Sequence, residues 1–414
     1  MKTFIKLFSV ILAALFILTG CSLLPSGEKD GESESGAQSE NMESASESES
    51  ETEMKEVNFK IVCPQNCERY ITSLSSKIRD DINKKTTHKV TVKSDREAVT
   101  EYEILLGNTN REGSTLEKGQ IGNAGWWVQS LGNVIAINAR TRQGLAEAVA
   151  YFLENYTVED NGMVRLTGES LKTEYEYDAL LNAGLKLRVG SYNIKHGEMV
   201  GLDMSVLADD IKALNLDVVG LQEVDVGTGR VGGKDTVKEI AESAGYEYYY
   251  FCKAIDLQGG GYGTAILSRY PIKKFETVQL CTDAGMEGRA LGHAVLDVNG
   301  VEVDYFNTHL SYEDTTVIKK QFEQLNGLVQ GKKTFIITAD FNTSSSVYFN
   351  TLENSVRVNH GKYFTFPENM SAIDDIVVSL GWGINDSGYQ VSGHSDHHML
   401  WAELCYDGGM NSRG

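Results

Sequence analysis

Five short polar clusters in the second half of the 414-residue chain carry side chains that bind cations, move protons or hold anions. They are Ser191-Tyr192-Asn193, Leu221-Gln222-Glu223-Val224, Asn307-Thr308-His309-Leu310, Thr338-Ala339-Asp340-Phe341-Asn342 and Ser395-Asp396-His397-His398. Mg2+ keeps several waters and needs only one or two protein carboxylates, so Glu223 with help from Asn193 or Asp396 is a reasonable binding set. A histidine held by a carboxylate suits proton transfer near neutral pH. Taken singly each cluster is weak, because Asn and Asp at strand ends commonly cap turns and a lone His is commonly a satisfied polar residue. Strand ends of an α/β layer open on one crevice, however, so the five together could gather Asn, Glu, His, Asp, Asn, Asp and His at one site.

The elements that must position them are legible in the pattern. From about Leu185 to Cys405 strands alternate with helices: Lys186–Tyr192 reads as a strand, a helix follows through Leu207, Ile211 and Leu214, and Asp217–Gln222 is again a strand. Ala290–Val298 and Val301–Thr308 flank Asn299-Gly300, a strong signal for a tight hairpin. That hairpin argues against an all-parallel sheet and for a mixed-sheet sandwich with helices outside. The run Tyr246–Phe251, rich in tyrosine, has the look of a membrane-touching loop, but its place before a Gly-rich stretch suits a core strand better.

The order of these residues resembles that of the endonuclease/exonuclease/phosphatase superfamily, the fold of DNase I, exonuclease III-like repair nucleases, neutral sphingomyelinases and inositol polyphosphate 5-phosphatases. The resemblance rests on Asn193, Glu223, the run Gly261–Pro271, Arg289, His309, Asp340 with Asn342, Asp374 and Asp396-His397, over about the last 225 residues. It implies a DNase I-like four-layer α/β sandwich with mixed sheets and a Mg2+-dependent phosphoesterase; Mn2+ or zinc, the lesser possibility, is raised by the histidines around His397. It further implies His397 as general base with Asp374 behind it, Asp340 aligning the attacking water and Asn342 donating to a phosphoryl oxygen. His309 and Arg289 would contact the phosphate, and Asn193, Glu223 and Asp396 would serve the metal.

Two positions depart from that pattern. Ala339 stands where the family usually has Gly, and Ile373-Asp374-Asp375-Ile376 replaces Ile-Asp-Tyr-Ile, so a one-residue slip would give the orienting role to Asp375. His394 and His398 flank His397 and raise a transition-metal site. No G-x-S-x-G elbow occurs, which sets aside a serine hydrolase.

Upstream, Lys2 and Lys6 precede an apolar run from Leu7 to Leu18 that has the layout of a secretory signal and is short for a membrane span. Leu18-Thr19-Gly20-Cys21 resembles a bacterial lipobox, so residues 1–20 read as a lipoprotein signal, Cys21 as the lipidated residue and the extracellular face of the membrane as the location. Residues 21–55, Ser/Glu-rich, read as a disordered tether. Residues 56–178 read as a small α+β domain; Tyr102–Thr109, Gly132–Ile137 and Gly144–Leu153 resemble the non-catalytic domain that precedes some bacterial glycoside hydrolase barrels. Trp126 and Trp127 could stack on a glycan, or form core plus one exposed aromatic. Cys63 and Cys67 are close enough to pair, while Cys252, Cys281 and Cys405 read as buried thiols.

Charge narrows the partners. The chain has 38 Lys and Arg against 58 Asp and Glu, and residues 185–414 have about 19 against about 30. A stable nucleic-acid complex loses its main source of affinity on such a surface. The expectation is a phosphoesterase, displayed outside the cell, for a substrate of open class. The alternatives are a non-catalytic surface glycan- or ligand-binding lipoprotein and an extracellular nuclease.

Overall fold

Asn299 and Gly300 both take left-handed backbone, with φ of 54° and 90°, the combination that matches a two-residue turn to the twist of its strands. The computed structural model that contains this hairpin describes residues 59–85, 90–114, 125–160, 163–166, 171–173 and 179–409. The expected signal, Cys21 and the Ser/Glu-rich stretch lie outside the described residues. No helix among the described residues is long and apolar enough to cross a membrane. Residues 56–414 form one compact unit.

The first part of that unit carries β1 (Lys60–Cys63), α1 (Arg69–Lys85), β2 (Thr91–Ser94), β3 (Glu103–Leu106), β4 (Trp126–Leu131), β5 (Val134–Ala139), α2 (Arg142–Asn155), β6 (Thr157–Asp160), β7 (Met163–Leu166) and β8 (Leu171–Thr173). Its sheet runs β2-β1-β3-β5-β4-β8, with the first four strands parallel. Ile71, Leu74, Ile78 and Ile82 recur at helical spacing on α1 and, with Leu145, Val149 and Phe152 of α2, pack on Ile61, Ile104 and Ile137. Trp126 and Trp127 are both buried, so neither the glycan-stacking platform nor the exposed aromatic forms: β4 pairs with β5 and β8 on its two edges and packs against α2. Cys63 and Cys67 remain free thiols, and burial pushes the Cys63 thiol up to about 12. This part docks on the rest through the Arg142 N–H, which donates to the Gly408 carbonyl at 3.0 Å, and Tyr406 Oη, which donates to Gln143 Oε1 at 2.9 Å.

The second part continues with α3 (Ala179–Asn182), β9 (Lys186–Asn193), α4 (Met204–Ala213), β10 (Val218–Val226), α5 (Thr236–Ala244), β11 (Tyr248–Leu257), β12 (Gly260–Ser268), β13 (Ile272–Gln279), β14 (Ala290–Val298), β15 (Val301–His309), α6 (Thr315–Val329), β16 (Ile336–Asp340), α7 (Ser346–Phe349), β17 (Ser355–Arg357), β18 (Asp374–Ser379), β19 (Trp382–Gln390) and β20 (Met399–Tyr406). Two six-stranded sheets result, β11-β12-β10-β9-β20-β19 and β13-β14-β15-β16-β18-β17. Each holds one parallel pair at its centre, β9 with β10 and β15 with β16, flanked on both sides by antiparallel strands. Leu187, Val189, Ile266 and Leu400 of one sheet meet Leu296, Tyr305, Ile336 and Ile376 of the other. Outside, α4 and α5 lay Leu207, Ile211, Val237 and Ile240 on the first sheet, and α6 lays Ile318, Phe322 and Leu325 on the second. The product is the expected four-layer α/β sandwich.

One polar seam crosses the apolar middle layer. Asn307 on β15 is fully buried; its Nδ2 donates to the Leu221 and Ala265 carbonyls, each at 2.9 Å. Its Oδ1 accepts from Gln222 Nε2 at 2.7 Å and Thr338 Oγ1 at 3.1 Å. Gly220 faces this group, and a Cβ there would stand 2.2 Å from Thr338 Oγ1 and 2.3 Å from Asn307 Oδ1, so the close approach of backbone to side chain requires glycine. The core-strand expectation for Tyr246–Phe251 is corrected: β11 is an edge strand on which Tyr250 is exposed and stacks on Phe275.

Candidate active site

The two central parallel pairs aim their carboxyl ends at the same crevice. Asn193 ends β9, Glu223 lies in β10, His309 ends β15 and Asp340 ends β16, the placement that open α/β sheets use for ligands. Asp374 opens β18 directly opposite Asp340, and Asp396-His397 immediately precedes β20, the neighbour of β9. Glu223 sits at an irregularity between Leu221 and Val224, with φ of 55°. A bulge of this kind re-aims a side chain, and Glu223 emerges partly exposed rather than in the sheet face.

Asp340 is the hub. Its Oδ2 lies 3.1 Å from Asn193 Nδ2, 3.5 Å from His309 Nε2 and 3.6 Å from His397 Nε2, while its Oδ1 accepts from the Asn342 N–H at 2.9 Å. Asn193 Nδ2 also reaches Glu223 Oε1 at 3.1 Å, which joins the two carboxylates through one amide. Asn342 takes φ of 52°, and its Nδ2 donates to the Leu310 carbonyl at 2.8 Å. Behind His397, Asp374 Oδ2 stands 2.8 Å from Nδ1, and the Phe366 ring packs 4.8 Å from the imidazole centroid. Asp375 is engaged elsewhere: its Oδ2 accepts from Arg357 Nε at 2.8 Å and its Oδ1 from the Asn359 N–H. The carboxylate at His397 is therefore Asp374, and strand alternation explains why its neighbour points away.

Electrostatics divides the two histidines. Burial, then the Arg289 guanidinium and then His397, hold His309 well below the ordinary imidazole range, so it is neutral. Arg289 Nη1 lies 3.0 Å from His309 Nδ1, and since guanidinium can only donate, the neutral ring carries its proton on Nε2. His309 is thus a hydrogen-bond donor facing the crevice. Burial alone would depress His397 as well, but the Asp374 and Asp340 carboxylates outweigh it and lift the imidazole to about 10. Burial and the Asp374 charge push Asp340 up to about 7. A donor-only ring on one side and a carboxylate-backed imidazole on the other can bind an anion and exchange a proton with it.

The remaining expected residues fall less tightly together. Arg289 is buried, with Nη1 2.7 Å from Glu287 Oε1. Asp396 pairs with Lys195 Nζ at 3.2 Å. His394 turns to Asp210 at 2.9 Å and His398 accepts from the Ser392 N–H, so the three neighbouring histidines do not converge on a common point. Ala339 lies inside β16 with its side chain buried beside Phe341, so its methyl group does not crowd a turn. Lys195, Glu287 and Arg357 escaped the sequence reading. Only their nearness in sequence to Asn193, Arg289 and the Asp374 strand could have flagged them, and charge complementarity between segments is invisible without the fold.

The donor set fits a hard divalent cation. Among the described residues the one group with ligand atoms close enough to share an ion is Asp340, Asp374 and His397, yet His397 already spends Nδ1 on Asp374. Glu223, partly exposed and steadied by Asn193, offers an oxygen ligand with room for water, as Mg2+ requires.

The model of the endonuclease/exonuclease/phosphatase family matches residues 190–397, half of the chain. Among solved structures, an endonuclease/exonuclease/phosphatase from Beutenbergia cavernae is 21% identical with a TM-score of 0.48, covering 54% of this chain and 72% of its own. A mannosyl-6-phosphatase from Bacteroides thetaiotaomicron is 20% identical with a TM-score of 0.40, covering 53% and 99%. D. rerio TDP2 with a single-strand DNA product is 17% identical with a TM-score of 0.43, covering 53% and 98%. No curated protein sequence matches the chain significantly.

Proposed function

The chain belongs to the endonuclease/exonuclease/phosphatase family, whose members are metal-dependent phosphoesterases, and from that premise we propose that it hydrolyses a phosphoester by in-line attack of water with Mg2+ as cofactor. The observation that carries the proposal is the meeting of Asn193, His309 and His397 on Asp340 Oδ2, within 3.1 to 3.6 Å. Glu223, steadied by Asn193 and with Asp396 as a further ligand, would hold the metal, which when bound would neutralise charge on the phosphoryl group. His397, fixed by Asp374, takes the proton of the attacking water in its deprotonated form, and because Asp374 and Asp340 lift the imidazole to about 10, turnover should rise with pH through the neutral range toward that value. Asp340 orients that water. His309 Nε2–H, Asn342 and Arg289 donate to phosphoryl oxygens as negative charge builds there.

The test is hydrolysis by residues 56–414 of a panel of bis-p-nitrophenyl phosphate, plasmid DNA, sphingomyelin and an inositol polyphosphate. Activity should vanish with EDTA, return with Mg2+, and fall by about 10³-fold or more in Glu223→Ala, the scale of losing a principal electrostatic contributor. Turnover that survives both EDTA and the substitution removes the metal reading.

The location follows from the N-terminal motif. Lys2, Lys6, the apolar run Leu7–Leu18 and Leu18-Thr19-Gly20-Cys21 support display on the outer membrane face through lipidated Cys21. Cys21→Ser should move the protein from the membrane fraction of cells to the soluble fraction. Unchanged fractionation would count against the anchor.

A further inference from the structure

Building on the phosphoesterase reading, we propose that the ester lies at the surface of an uncharged lipid assembly, which the protein meets with an apolar rim around the crevice. Exposed apolar side chains scattered singly need no explanation, but their confinement to one face does. In residues 179–409 the exposed large apolar side chains, Tyr250 on the β11 edge excepted, lie on segments that leave or enter the strand ends of the site. Met199 follows Asn193, Tyr312 follows His309 and Val347 follows Asn342. Phe364 and Met370 precede Asp374, and Val391 precedes Asp396.

These segments are joined to the catalytic groups. The Thr365 carbonyl accepts from the His398 N–H at 2.7 Å, Phe366 covers His397, and Tyr389 stacks 5.7 Å from His398. The segments that bear Phe364, Met370 and Val391 therefore border the imidazole itself. The rim is also poor in charge nearest the imidazole: residues 342–352 and 387–395 contain no Asp, Glu, Lys or Arg and residues 363–373 contain only Glu368, in a chain of which 23% is charged.

The chemistry of the rim selects among occupants. A nucleic acid would need cations for its phosphates and flat rings for its bases, and the region is acidic. A sugar would also seek aromatic faces. Tyr312 and Phe364 supply two rings to the rim, but its three most exposed residues are apolar and not aromatic, Val347 at 73%, Met370 at 71% and Val391 at 70%. Such side chains gain only by leaving water for hydrocarbon, which a lipid surface offers. The net acidity of the same region disfavours anionic headgroups and leaves a zwitterionic surface. Hydrolysis there needs no further reactant: water forms the new P–O bond, the bond to the departing oxygen breaks, and one proton passes to that oxygen.

The experiment compares residues 56–414 with the Val347→Ser, Met370→Ser, Val391→Ser triple variant on phosphatidylcholine vesicles. Sedimentation should show binding that falls about tenfold or more in the variant. Turnover of a short-chain phosphatidylcholine should rise at its micelle threshold for the parent protein and much less for the variant. Bis-p-nitrophenyl phosphate, which has no chain to insert, reports separately whether the site works. A protein that cleaves this soluble ester but neither binds vesicles nor responds to micelles overturns the rim proposal alone. So does a clear preference for DNA or a sugar phosphate. Vesicle binding with no cleavage of any ester overturns the phosphoesterase reading and the proposal with it.

Discussion

Alanine in place of His397 should lower kcat/KM on bis-p-nitrophenyl phosphate by about 10²–10⁴-fold, the range for losing a positioned general base. The argument is geometric first: Nδ1 is held by Asp374 at 2.8 Å, which leaves Nε2 free to face the hub carboxylate and its water. Asp374→Asn keeps the shape but supplies no charge to the imidazole, and should cost on the order of 10²-fold or more for the same reason. Asp375→Asn separates orientation from packing. It strips the buried Arg357 of its counter-charge, which should appear as about 3–5 kcal/mol of lost stability in urea unfolding, with a smaller effect on turnover once the protein is folded. Asp374→Asn within threefold of the parent enzyme would remove the dyad from the mechanism.

The second large effect is on stability. Asn307→Leu takes the side-chain donor from the Leu221 and Ala265 carbonyls, and leaves the Gln222 amide and the Thr338 hydroxyl with their longer bonds to Ser191 Oγ and the Phe306 carbonyl. A buried group left unpaired costs about 1–3 kcal/mol, and relaxation recovers part of that, so a net loss of about 3–5 kcal/mol is expected in denaturant titration. Against a usual total of about 5–15 kcal/mol this is a large share. A loss under about 1 kcal/mol would mean that the seam is hydrated or readily repacked, and that the two sheets are registered by apolar contact alone.

The catalytic region was legible because its local signals agree with its global plan. Asn299-Gly300 can close only a tight hairpin, and once that hairpin is granted the sheets must be mixed. His309, Asp340 and Asn342 were readable because each ends or closely follows a strand, and strand ends are where a two-sheet sandwich opens. The choice between Asp374 and Asp375 was not readable. Both are acidic, adjacent and buried, and only the pairing of β18 with β17, which sets Arg357 beside Asp375, decides which one turns to the histidine. The same limit applied to Trp126 and Trp127. Adjacent residues on a strand point to opposite faces, which implied that one would be exposed, but both are buried. The edge position of β11 was likewise set by topology, which composition does not encode.

Strand β20 pairs with β9 although more than two hundred residues separate them in sequence. The first sheet therefore cannot close until the chain beyond Met399 is available, and the His397 side chain has no fixed place before that moment. Pairings this distant are slow to form and leave partners waiting with open edges. For a protein made or threaded from its amino end, the hydrolytic centre stays unassembled throughout elongation or passage. On the proposed reading, activity would be coupled to arrival, and the chain would not act on esters in a compartment that it traverses unfolded.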